Sequence, residues 1–408
     1  MISTKLNYKL QGSLQLQGDK SLAHRCLFFS LLSPEESKID HLPTTADVQS
    51  TIRCLKQVQS SQTWQVFDCQ NSGTTARHLI SLLCASQIAG KMIGDTSLQG
   101  RDMLRITSHL MASGAKLKMT NERYLPIEVF ASDLHLSQYE LKIASAQVKS
   151  SLLYLASLCY RPIVIQGKIH SRNHTENLLT HMGAEINVKS NTLFFTPPQH
   201  FRPLHFSIPA DPSSAAFIAT AALLSSGSNV EFKDLLLNPT RIGFFDILQK
   251  KGAPISWQIT DSSIEARGKL KVSWWQNPLA FEVSADSIPS LIDELPLLFF
   301  LATQAEGTSC FQGIEELKHK ESNRIDSTLE LFESWGINHY QMVGNKLFIP
   351  GGQPIRKLSS WQSHDHRLSL LRAIGNFSFN GTLDQPSECW QVSYPGLVDD
   401  LKQLMLAI

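Results

Sequence analysis

The sequence predicts an α/β fold, and three observations support this prediction. Short apolar segments with strand character alternate with apolar helical segments along the whole chain. The chain has 408 residues, which is long enough for two or three hydrophobic cores and too long for one. A polar segment that runs directly into an apolar helix recurs six times, about one strand–helix unit apart. Taken alone, the alternation favours a doubly wound sheet.

The first of these helix starts sets the pattern for the others. Residues 18–25 are polar and contain Lys20, Ser21 and Arg25, and an apolar block follows at residues 26–32. The free backbone N–H groups of a first helical turn, together with the helix dipole, favour an anion. Taken by itself, this segment is better explained as a capped helix with a solvated basic turn, so an anion site rests on the recurrence.

The other five helix starts repeat the succession of polar residues and then apolar ones. They begin at residues 71–77, 145–151, 210–215, 293–294 and 364–367. Asp211 is a suitable N-cap, and Pro212 occupies the favoured first helical position. Residues 18–23 and 210–215 are the most similar pair, which suggests that one half of the chain duplicates the other.

Further strands and helices are predicted in chain order from periodicity and from the glycines that end helices. Predicted strands lie within residues 9–17 and at 64–67, 126–130, 163–165, 206–209, 230–232 and 281–283. Predicted helices lie at 47–55, 103–110, 175–181, 244–248 and 325–335, and residues 94–101 are predicted to be a loop. No low-complexity segment interrupts this order, so domain boundaries must fall in short crossings.

Composition and charge argue against several classes of protein. The formal net charge of +1 argues against a general nucleic-acid or membrane-surface binder. The seven cysteines show no C-x-x-C spacing, which indicates a reducing compartment and neither disulfides nor a zinc site. The most apolar run, residues 295–302, is too short to span a membrane, and residues 1–8 lack the apolar core of a signal peptide. We therefore expect a cytoplasmic protein.

Eight segments carry a resemblance to a known family. They are residues 18–25 (GDKSLAHR), 71–77 (NSGTTAR), 94–101 (GDTSLQGR), 145–150 (SAQVKS), 171–176 (SRNHTE), 292–296 (IDELP), 316–325 (ELKHKESNRI) and 365–367 (DHR). With these segments the chain resembles the 5-enolpyruvylshikimate-3-phosphate synthases, in which the same motifs occur in the same order. No single match would suffice, but the eight together cover nearly the whole chain.

The resemblance implies a specific architecture. It is the two-domain enolpyruvyl transferase fold, an inside-out α/β barrel in which each domain contains three repeated strand–helix units, six in all. One domain would comprise residues 1–18 and 210–408, and the other residues 19–209, with hinge crossings near 18 and 209. In this family the six repeated helices point their N-termini at the cleft between the domains, where they meet the charges of the substrates.

The resemblance also implies a reaction. The family transfers the enolpyruvyl group of phosphoenolpyruvate to the 5-hydroxyl of shikimate 3-phosphate and releases phosphate, by addition and then elimination. General acid–base chemistry and anion stabilisation suffice for this, so neither a metal nor an organic cofactor is expected. The expected partners are the two substrates, without nucleic acid or membrane, and the expected state is a monomer.

Three residues receive catalytic roles from the resemblance. Asp293 would take the 5-hydroxyl proton, Glu321 would handle the proton at the phosphoenolpyruvate methylene, and Lys20 would contact both substrates. Without the family, Asp293 is better explained as a helix cap and Glu321 as a surface residue. The positions that match substrate-binding ones are Lys20, Ser21, Arg25, Asn71, Gly73, Arg101, Ser145, Gln147, Ser171, Asp293, Lys320, Arg324 and Arg367.

These binding positions divide between the two substrates. Shikimate 3-phosphate is matched by Ser21, Arg25, Ser145, Gln147 and Ser171. Phosphoenolpyruvate is matched by Gly73, Arg101, Arg324 and Arg367, with Lys320 near the bridging atoms. Arginine suits such places because its planar fork binds a carboxylate or phosphate through two hydrogen bonds.

The chain departs from the family pattern at several positions. They are Gln17, Asp102, Asn173, Ala210, Asn323 and Val392, and many relatives place a substrate-binding lysine at the position of Val392. These departures suggest a weakened or altered enzyme as one hypothesis.

Two other functions stay open. A UDP-N-acetylglucosamine enolpyruvyl transferase is disfavoured because residues 90–101 lack that family's reactive cysteine. A catalytically silent anion-binding homologue is disfavoured because both carboxylates are retained.

Overall fold

The computed structural model describes residues 8–60 and 64–407. The chain divides into two compact units, Gly18–Ile208 and the combination of Met1–Gln17 with Pro209–Ile408. The sequence assigns residues 1–7 to the C-terminal-side domain, and those residues lie outside the described part. Among the described residues, no helix combines the length and apolar character needed to cross a membrane.

The described chain contains both strands and helices throughout its length, which agrees with the predicted α/β class. The strands are β1 (Tyr8–Leu14), β2 (Lys38–Asp40), β3 (Gln65–Asp68), β4 (Gly90–Ile93), β5 (Lys116–Thr120), β6 (Tyr124–Phe130), β7 (Gln138–Leu141), β8 (Ile163–Gly167), β9 (Glu185–Lys189), β10 (Thr192–Thr196), β11 (His205–Ser207), β12 (Asn229–Leu236), β13 (Ile255–Asp261), β14 (Arg267–Ser273), β15 (Glu282–Val283), β16 (Thr308–Gln312), β17 (Gln341–Val343), β18 (Lys346–Pro350) and β19 (Met405–Ala407).

The α-helices are α1 (Lys20–Phe29), α2 (Ala46–Ser60), α3 (Gly73–Ala85), α4 (Thr96–Gln99), α5 (Leu104–Ala112), α6 (Ala146–Leu158), α7 (His174–His181), α8 (Pro212–Leu224), α9 (Gly243–Lys250), α10 (Ile288–Leu291), α11 (Leu295–Gln304), α12 (Arg324–Trp335), α13 (His366–Asn380) and α14 (Leu397–Leu404). Short 3₁₀ helices lie at Ala285–Ser287, Glu315–His319 and Glu388–Val392. The predicted loop at residues 94–101 is wrong in part, because the Asp95 side chain accepts a hydrogen bond from the Leu98 N–H and so caps α4.

The sheets of the unit Gly18–Ile208 share one strand order. In β3-β4-β6-β5 and in β7-β8-β10-β9 the first pair of strands is parallel and the following pairs are antiparallel. Strands β2 and β11 form a separate parallel pair. The doubly wound sheet predicted from alternation alone is therefore wrong. In each of the two four-stranded sheets a helix connects the two parallel strands, and an antiparallel hairpin supplies the other two strands.

The other unit uses the same strand order twice. Strands β15-β16-β18-β17 repeat it, and so do β1-β12-β14-β13, with β19 added to the free edge of β1. Strand β1 pairs in parallel with β12, with Gly12 opposite Val230. Because those hydrogen bonds hold β1 in this sheet, the N-terminal strand belongs to the same unit as residues 209–408.

All six predicted helix starts coincide with the beginning of a helix, namely α1, α3, α6, α8, α11 and α13. In five of them the N-cap side chain accepts a hydrogen bond from a backbone N–H of the first turn; these caps are Asp19, Ser72, Ser145, Asp211 and Asp365. The prediction of Asp211 as N-cap and Pro212 as first helical residue is confirmed. Helix α11 is the exception, since its N-cap Glu294 makes no capping hydrogen bond.

Two helices form the centre of the core in the unit that contains residues 209–408. Every residue of α8 except Leu224 and every residue of α11 except Gln304 is buried. Full burial of a large apolar side chain contributes about 1.5–3 kcal/mol. Because both helices are held on all sides, the polar residues at their N-termini occupy fixed positions.

Candidate active site

Lys20 is the first residue of α1, and its ammonium group is held by one carboxylate. The Asp19 side chain caps the helix by accepting from the Leu22 N–H at 2.7 Å. Lys20 Nζ lies 2.9 Å from Oδ2 of Asp47, which belongs to the first turn of α2. Both side chains keep a small exposed fraction, so the ammonium group is oriented by Asp47 and is still accessible to a ligand.

Arg25 is almost completely buried and joins three helices. Its Nε donates to Thr175 Oγ1 at 3.0 Å, and its Nη2 donates to Ser150 Oγ at 3.0 Å. Its Nη1 donates to the carbonyl oxygen of Ser21 at 2.7 Å. Arg172 Nη1 approaches the Ser21 hydroxyl at 3.4 Å. The guanidinium of Arg25 therefore fixes the N-terminal regions of α1, α6 and α7 relative to one another.

Asn71, Gly73 and Arg101 form one cluster at the start of α3. Arg101 Nη2 donates to Asn71 Oδ1 at 2.8 Å, and Asn71 Nδ2 donates to Asp95 Oδ2 at 2.7 Å. A Cβ atom placed on Gly73 would lie 2.7 Å from Nη1 of Arg77 and 3.3 Å from Nη1 of Arg101. Glycine at position 73 thus leaves room for two guanidinium groups beside the first turn of the helix.

Arg77 connects this cluster to Gln147, although sequence reasoning assigned no separate role to Arg77. Its Nη1 donates to Gln147 Oε1 at 2.9 Å, and Gln147 Nε2 donates to Thr74 Oγ1 at 2.9 Å. Its Nη2 donates to the carbonyl oxygen of Asp102 at 3.3 Å. The signal that could have identified Arg77 is its place four residues after Gly73, on the same face of α3.

Lys149, which forms a buried ion pair with Glu176, connects the segments that carry Ser145 and Ser171. The Ser145 hydroxyl caps α6 by accepting from the Val148 N–H at 3.4 Å. On the first turn of that helix, Lys149 Nζ lies 2.6 Å from Glu176 Oε1 and 3.5 Å from the carbonyl oxygen of Ser171. Lys149 was not predicted as a functional residue, and it ties the backbone that carries Ser171 to α6.

His24 forms part of a buried hydrogen-bond chain beneath Lys20. Its Nδ1 lies 2.7 Å from Thr51 Oγ1, which lies 2.7 Å from Thr75 Oγ1. Burial, together with the positive charges of Lys20 and Arg25, lowers the pKa of His24 well below its usual value. A neutral imidazole that links α1, α2 and α3 is a structural group, and it provides no proton at neutral pH.

In the other unit, Asp293 faces three cations. Its Oδ1 lies 3.4 Å from Arg324 Nη1 and 3.6 Å from Lys320 Nζ, and its Oδ2 lies 3.6 Å from Arg367 Nη2. Asp293 is not the N-cap of α11, because that position is Glu294. The surrounding cations hold the Asp293 side chain in place, and a small fraction of it stays exposed to solvent.

Arg324 is the centre of this cluster, and only 1% of its side chain is exposed. It contacts the carboxylates of Asp293, Glu321 and Asp365, with 2.8 Å between its Nε and Asp365 Oδ2. Burial opposes the charged form of the guanidinium, but the three carboxylates outweigh burial and raise the pKa of Arg324. Asp365, which sequence reasoning did not identify, lies in the DHR segment and also caps α13.

Asp365 owes its charge to Arg324. Its side chain is completely buried, which by itself raises the pKa, but the adjacent guanidinium outweighs burial and holds the pKa of Asp365 below its usual value. Lys320 and Arg367 are more accessible than Arg324, with 27% and 11% of their side chains exposed. These two cations are the members of the cluster best placed to receive an anion, and Asp293 is the carboxylate between them.

Two of the departures from the family pattern have a local explanation, and a third, Val392, has none. Asn323 caps α12, accepting from the Asp326 N–H at 3.5 Å and donating to the Asp326 carboxylate at 2.6 Å. Asp102 accepts from the Leu104 N–H at 2.7 Å and so holds the entry into α5. Val392 ends a 3₁₀ helix and is half-buried. Helix capping explains Asn323, and the hydrogen bond from the Leu104 N–H explains Asp102, whereas nothing in the structure accounts for a valine at position 392.

The structure brings the predicted residues together in local groups. The group centred on Arg324 contains Asp293, Lys320, Glu321, Arg324 and Arg367. A second contains Asn71, Gly73, Arg101 and, through Arg77, Gln147. Ser21 and Arg25 share a third, and Lys20, Ser145 and Ser171 each have separate partners. Over residues 8–60 and 64–407, no three His, Cys, Asp or Glu side chains are grouped to hold a metal ion.

Comparisons with known proteins agree on one family. The family model described as EPSP synthase (3-phosphoshikimate 1-carboxyvinyltransferase) matches residues 5–401. A relative from Geobacillus thermodenitrificans (strain NG80-2), named 3-phosphoshikimate 1-carboxyvinyltransferase, is 34% identical, with 97% of each chain covered. A relative of the same name from Streptococcus equi subsp. zooepidemicus (strain H70) is 33% identical, again with 97% of each chain covered.

Solved structures give the same result. The EPSP synthase of Acinetobacter baumannii superposes with a TM-score of 0.83 at 25% identity, covering 98% of this chain and 97% of that one. The enolpyruvyl transferase NikO from Streptomyces tendae superposes with a TM-score of 0.72 at 14% identity, covering 97% and 95%. The second likeness concerns the fold alone, and both structures share the α/β architecture described above.

Proposed function

The chain belongs to the EPSP synthase family, and we propose that it transfers the enolpyruvyl group of phosphoenolpyruvate to the 5-hydroxyl of shikimate 3-phosphate, with Asp293 as the base. The reaction releases phosphate and belongs to the synthesis of chorismate and the aromatic amino acids. The observation that carries the assignment of the base is the environment of Asp293, a carboxylate held between Lys320, Arg324 and Arg367. An assay of phosphate release with the two substrates tests the activity directly.

The proposed chemistry uses two carboxylates in different surroundings. Asp293 takes the proton of the 5-hydroxyl as its oxygen bonds to C2 of phosphoenolpyruvate, and Glu321 delivers a proton to the methylene carbon. Elimination then breaks the bond between C2 and the phosphate oxygen and restores the double bond, as one methyl proton returns to Glu321. The proton held by Asp293 passes to the departing phosphate or to solvent, which regenerates the base. Asp293 contacts three cations, whereas Glu321 contacts Arg324, so the two carboxylates stand in different electrostatic surroundings.

The remaining predicted residues are proposed to bind the substrates. For shikimate 3-phosphate these are Ser21, Arg25, Ser145, Gln147 and Ser171. For phosphoenolpyruvate they are Gly73, Arg101, Lys320, Arg324 and Arg367, while Lys20 contacts both and Asn71 belongs to the substrate-binding set without assignment to one substrate. The support is chemical, because guanidinium and ammonium groups match the phosphates and carboxylates of the ligands. Since Arg324 is already engaged by three carboxylates, Lys320 and Arg367 are its more accessible neighbours for an incoming anion.

Two alternatives were open from the sequence. A UDP-N-acetylglucosamine enolpyruvyl transferase would use a different acceptor, and the match to the EPSP synthase family over residues 5–401 counts against it. A silent homologue would have no need of the Asp293 and Glu321 pair around Arg324. Phosphate release with shikimate 3-phosphate, with the UDP-sugar or with neither acceptor separates the three functions.

We also infer that the family's six repeated strand–helix units, three in each domain, underlie the shared strand orders. The domains would be residues 19–209 and residues 1–18 with 210–408, and the protein would act as a cytoplasmic monomer. The free thiols of all seven cysteines fit a reducing compartment. Sedimentation at assay concentrations, together with fractionation of the source cells, tests the monomer and the compartment.

Activity is expected to need no divalent metal. The countercharge for the substrates comes from lysine and arginine side chains, among them Lys20, Arg101, Lys320 and Arg367, rather than from an ion. Turnover after dialysis against EDTA should stay within the error of the untreated enzyme, measured as phosphate release. A loss that added magnesium or zinc restores would contradict the prediction, and a known magnesium-dependent phosphatase treated in parallel checks that the chelator has worked.

Val392 is expected to limit the affinity for phosphoenolpyruvate. Many relatives carry a substrate-binding lysine at this position, and one charged hydrogen bond is worth about 1–3 kcal/mol, or about 5- to 150-fold in affinity. Val392→Lys should lower the KM for phosphoenolpyruvate and leave the KM for shikimate 3-phosphate nearly unchanged.

The control for this substitution is Val343→Lys, at an exposed valine on β17. Steady-state kinetics with each substrate varied in turn should show a lower KM in the first variant only. If the two variants behave alike, the position of the family's lysine is not equivalent to Val392 or another cation already fills its place.

A further inference from the structure

Glu294 lies next to the proposed base Asp293 and takes no part in the proposed proton transfers. Glu294 is 2% exposed, although it follows Asp293 directly and stands at the N-cap of α11. Its side chain makes no capping hydrogen bond. Burying a carboxylate is costly unless its charge is compensated. The contacts of Glu294 therefore point to a function other than helix capping.

Those contacts connect Glu294 to two arginines. Its Oε1 accepts a hydrogen bond from the Ser213 hydroxyl and lies 3.7 Å from Arg367 Nη1. Ser213 Oγ in turn accepts from Arg241 Nη2 at 3.2 Å, and the same Nη2 lies 3.1 Å from Asp211 Oδ1. Because a guanidinium can only donate, the Ser213 proton is available for Glu294. The Glu294 carboxylate is thus held in place from one side by Ser213.

On its other side, Glu294 shares Arg367 with Asp293. Arg367 Nη1 lies 3.4 Å from the Asp293 carbonyl oxygen and 3.7 Å from Glu294 Oε1, while its Nη2 lies 3.6 Å from Asp293 Oδ2. A single guanidinium therefore stands between two neighbouring carboxylates. Through this shared cation, a change of charge at position 294 alters the electrostatic surroundings of Asp293.

We propose that Glu294 is a positioning residue whose negative charge, acting through Arg367, keeps Asp293 a stronger base than its three cations alone would allow. The proposal rests on the proposed role of Asp293. Three cations face Asp293, namely Lys320, Arg324 and Arg367. Carboxylates pair with two of these cations on their other sides. Glu294 pairs with Arg367, whereas Glu321 and Asp365 pair with Arg324. Three positive charges would make Asp293 a poor proton acceptor, and the negative charge of Glu294 offsets part of their effect.

The test is the pH profile of kcat in two variants that separate charge from hydrogen bonding. Glu294→Gln removes the charge and keeps an oxygen that can accept from Ser213. Ser213→Ala removes the hydrogen bond and keeps the charge. The acid limb of kcat reports the base in the enzyme–substrate complex. Losing a nearby negative charge lowers the proton affinity of Asp293, so the acid limb of Glu294→Gln should move to lower pH by about 0.5–1 unit.

The plateau of Glu294→Gln should also fall, by about 3- to 10-fold, because a weaker base transfers the proton less readily. The acid limb of Ser213→Ala should stay where it is in the parent. An unmoved limb in Glu294→Gln would overturn the proposal, and so would an equal displacement in both variants, which would indicate a structural role alone.

Two further variants complete the test. If Glu294→Gln does not fold, Glu294→Asp keeps the charge but withdraws it by one methylene, and its limb should move in the same direction by a smaller amount. An unmoved limb in this variant would also overturn the proposal. Asp293→Asn separates the inference from its premise. If that variant is inactive while the limb of Glu294→Gln is unmoved, only the inference fails; if Asp293→Asn is active, the proposed base itself is wrong.

Discussion

Asp293→Asn is expected to lower kcat by about 10²–10⁴-fold, the usual effect of removing a general base. Asparagine keeps the size of the side chain but cannot accept the 5-hydroxyl proton. The substitution also removes the negative charge that Lys320, Arg324 and Arg367 share, so these cations should bind phosphoenolpyruvate at least as well as before. The KM for phosphoenolpyruvate should therefore stay unchanged or fall, while turnover is nearly lost.

A matched control is available in the same unit. Asp246 on α9 is paired with Lys250 at 2.7 Å on the exposed surface, and such pairs contribute about 0.3–0.5 kcal/mol. Asp246→Asn makes the same chemical change away from the cluster and should keep the parent kcat. Calorimetric titration with shikimate 3-phosphate would show that both variants still bind it. Turnover of Asp293→Asn within a few-fold of the parent would eliminate Asp293 as the base.

The helix starts could be predicted from the sequence because capping is local chemistry. Each cap side chain accepts a hydrogen bond from a backbone N–H only two or three residues further along the chain, as in Asp19, Ser72 and Asp211. Both partners of the interaction are therefore visible in one short stretch of sequence. The apolar blocks after these caps are buried in the structure for the same reason. Helix α12 was equally predictable, since Gly336 with φ of 83° provides the left-handed residue that ends it.

The sheets were not predictable in the same way. The hairpin between β5 and β6 turns through Asn121 and Glu122, which have φ of 48° and 58°. Glutamate stands where the usual signal for such a turn is glycine, so the hairpin left little trace in the sequence. The pairing of Tyr8 with Ala407 joins the two ends of the chain. Such long-range pairings determine the strand order, and no local pattern contains them.

The candidate site was predictable residue by residue but not as an arrangement. The family motifs pointed to Asp293, Glu321 and Arg324, yet Asp365 was missed because its only local signal is a helix cap. Its pairing with Arg324 joins segments 41 residues apart. The degree of burial was also beyond the sequence. Arg324 matches a ligand-binding position in the sequence, but in the structure three carboxylates already pair with its guanidinium. These pairs limit the capacity of Arg324 to bind an incoming anion.

Arg324→Met is expected to lower the free energy of unfolding by about 3–5 kcal/mol, the effect of breaking a buried ion pair from one side. Methionine fills much of the volume but leaves Asp293, Glu321 and Asp365 without their common cation. The control is Arg372→Met on α13, where the arginine pairs with one carboxylate among the described residues, that of Asp384 at 3.0 Å. Urea unfolding of both variants should show the larger loss at position 324, and equal losses would contradict a special role for the three-carboxylate cluster.

The loss in Arg324→Met should depend on pH with a definite sign. In the parent, Arg324 holds the pKa of Asp365 below its usual value near 3.8, so this contribution to stability is present at neutral pH and lost only in strong acid. In the variant, burial is no longer outweighed, and the pKa of Asp365 in the folded state should rise above its unfolded value. The buried carboxylates then destabilise the variant most above that raised pKa and least once they are protonated. The difference in unfolding free energy between parent and variant should therefore shrink as the pH falls from 7 to about 4, and a difference that grows over this range would show that the carboxylates are not what the arginine stabilises.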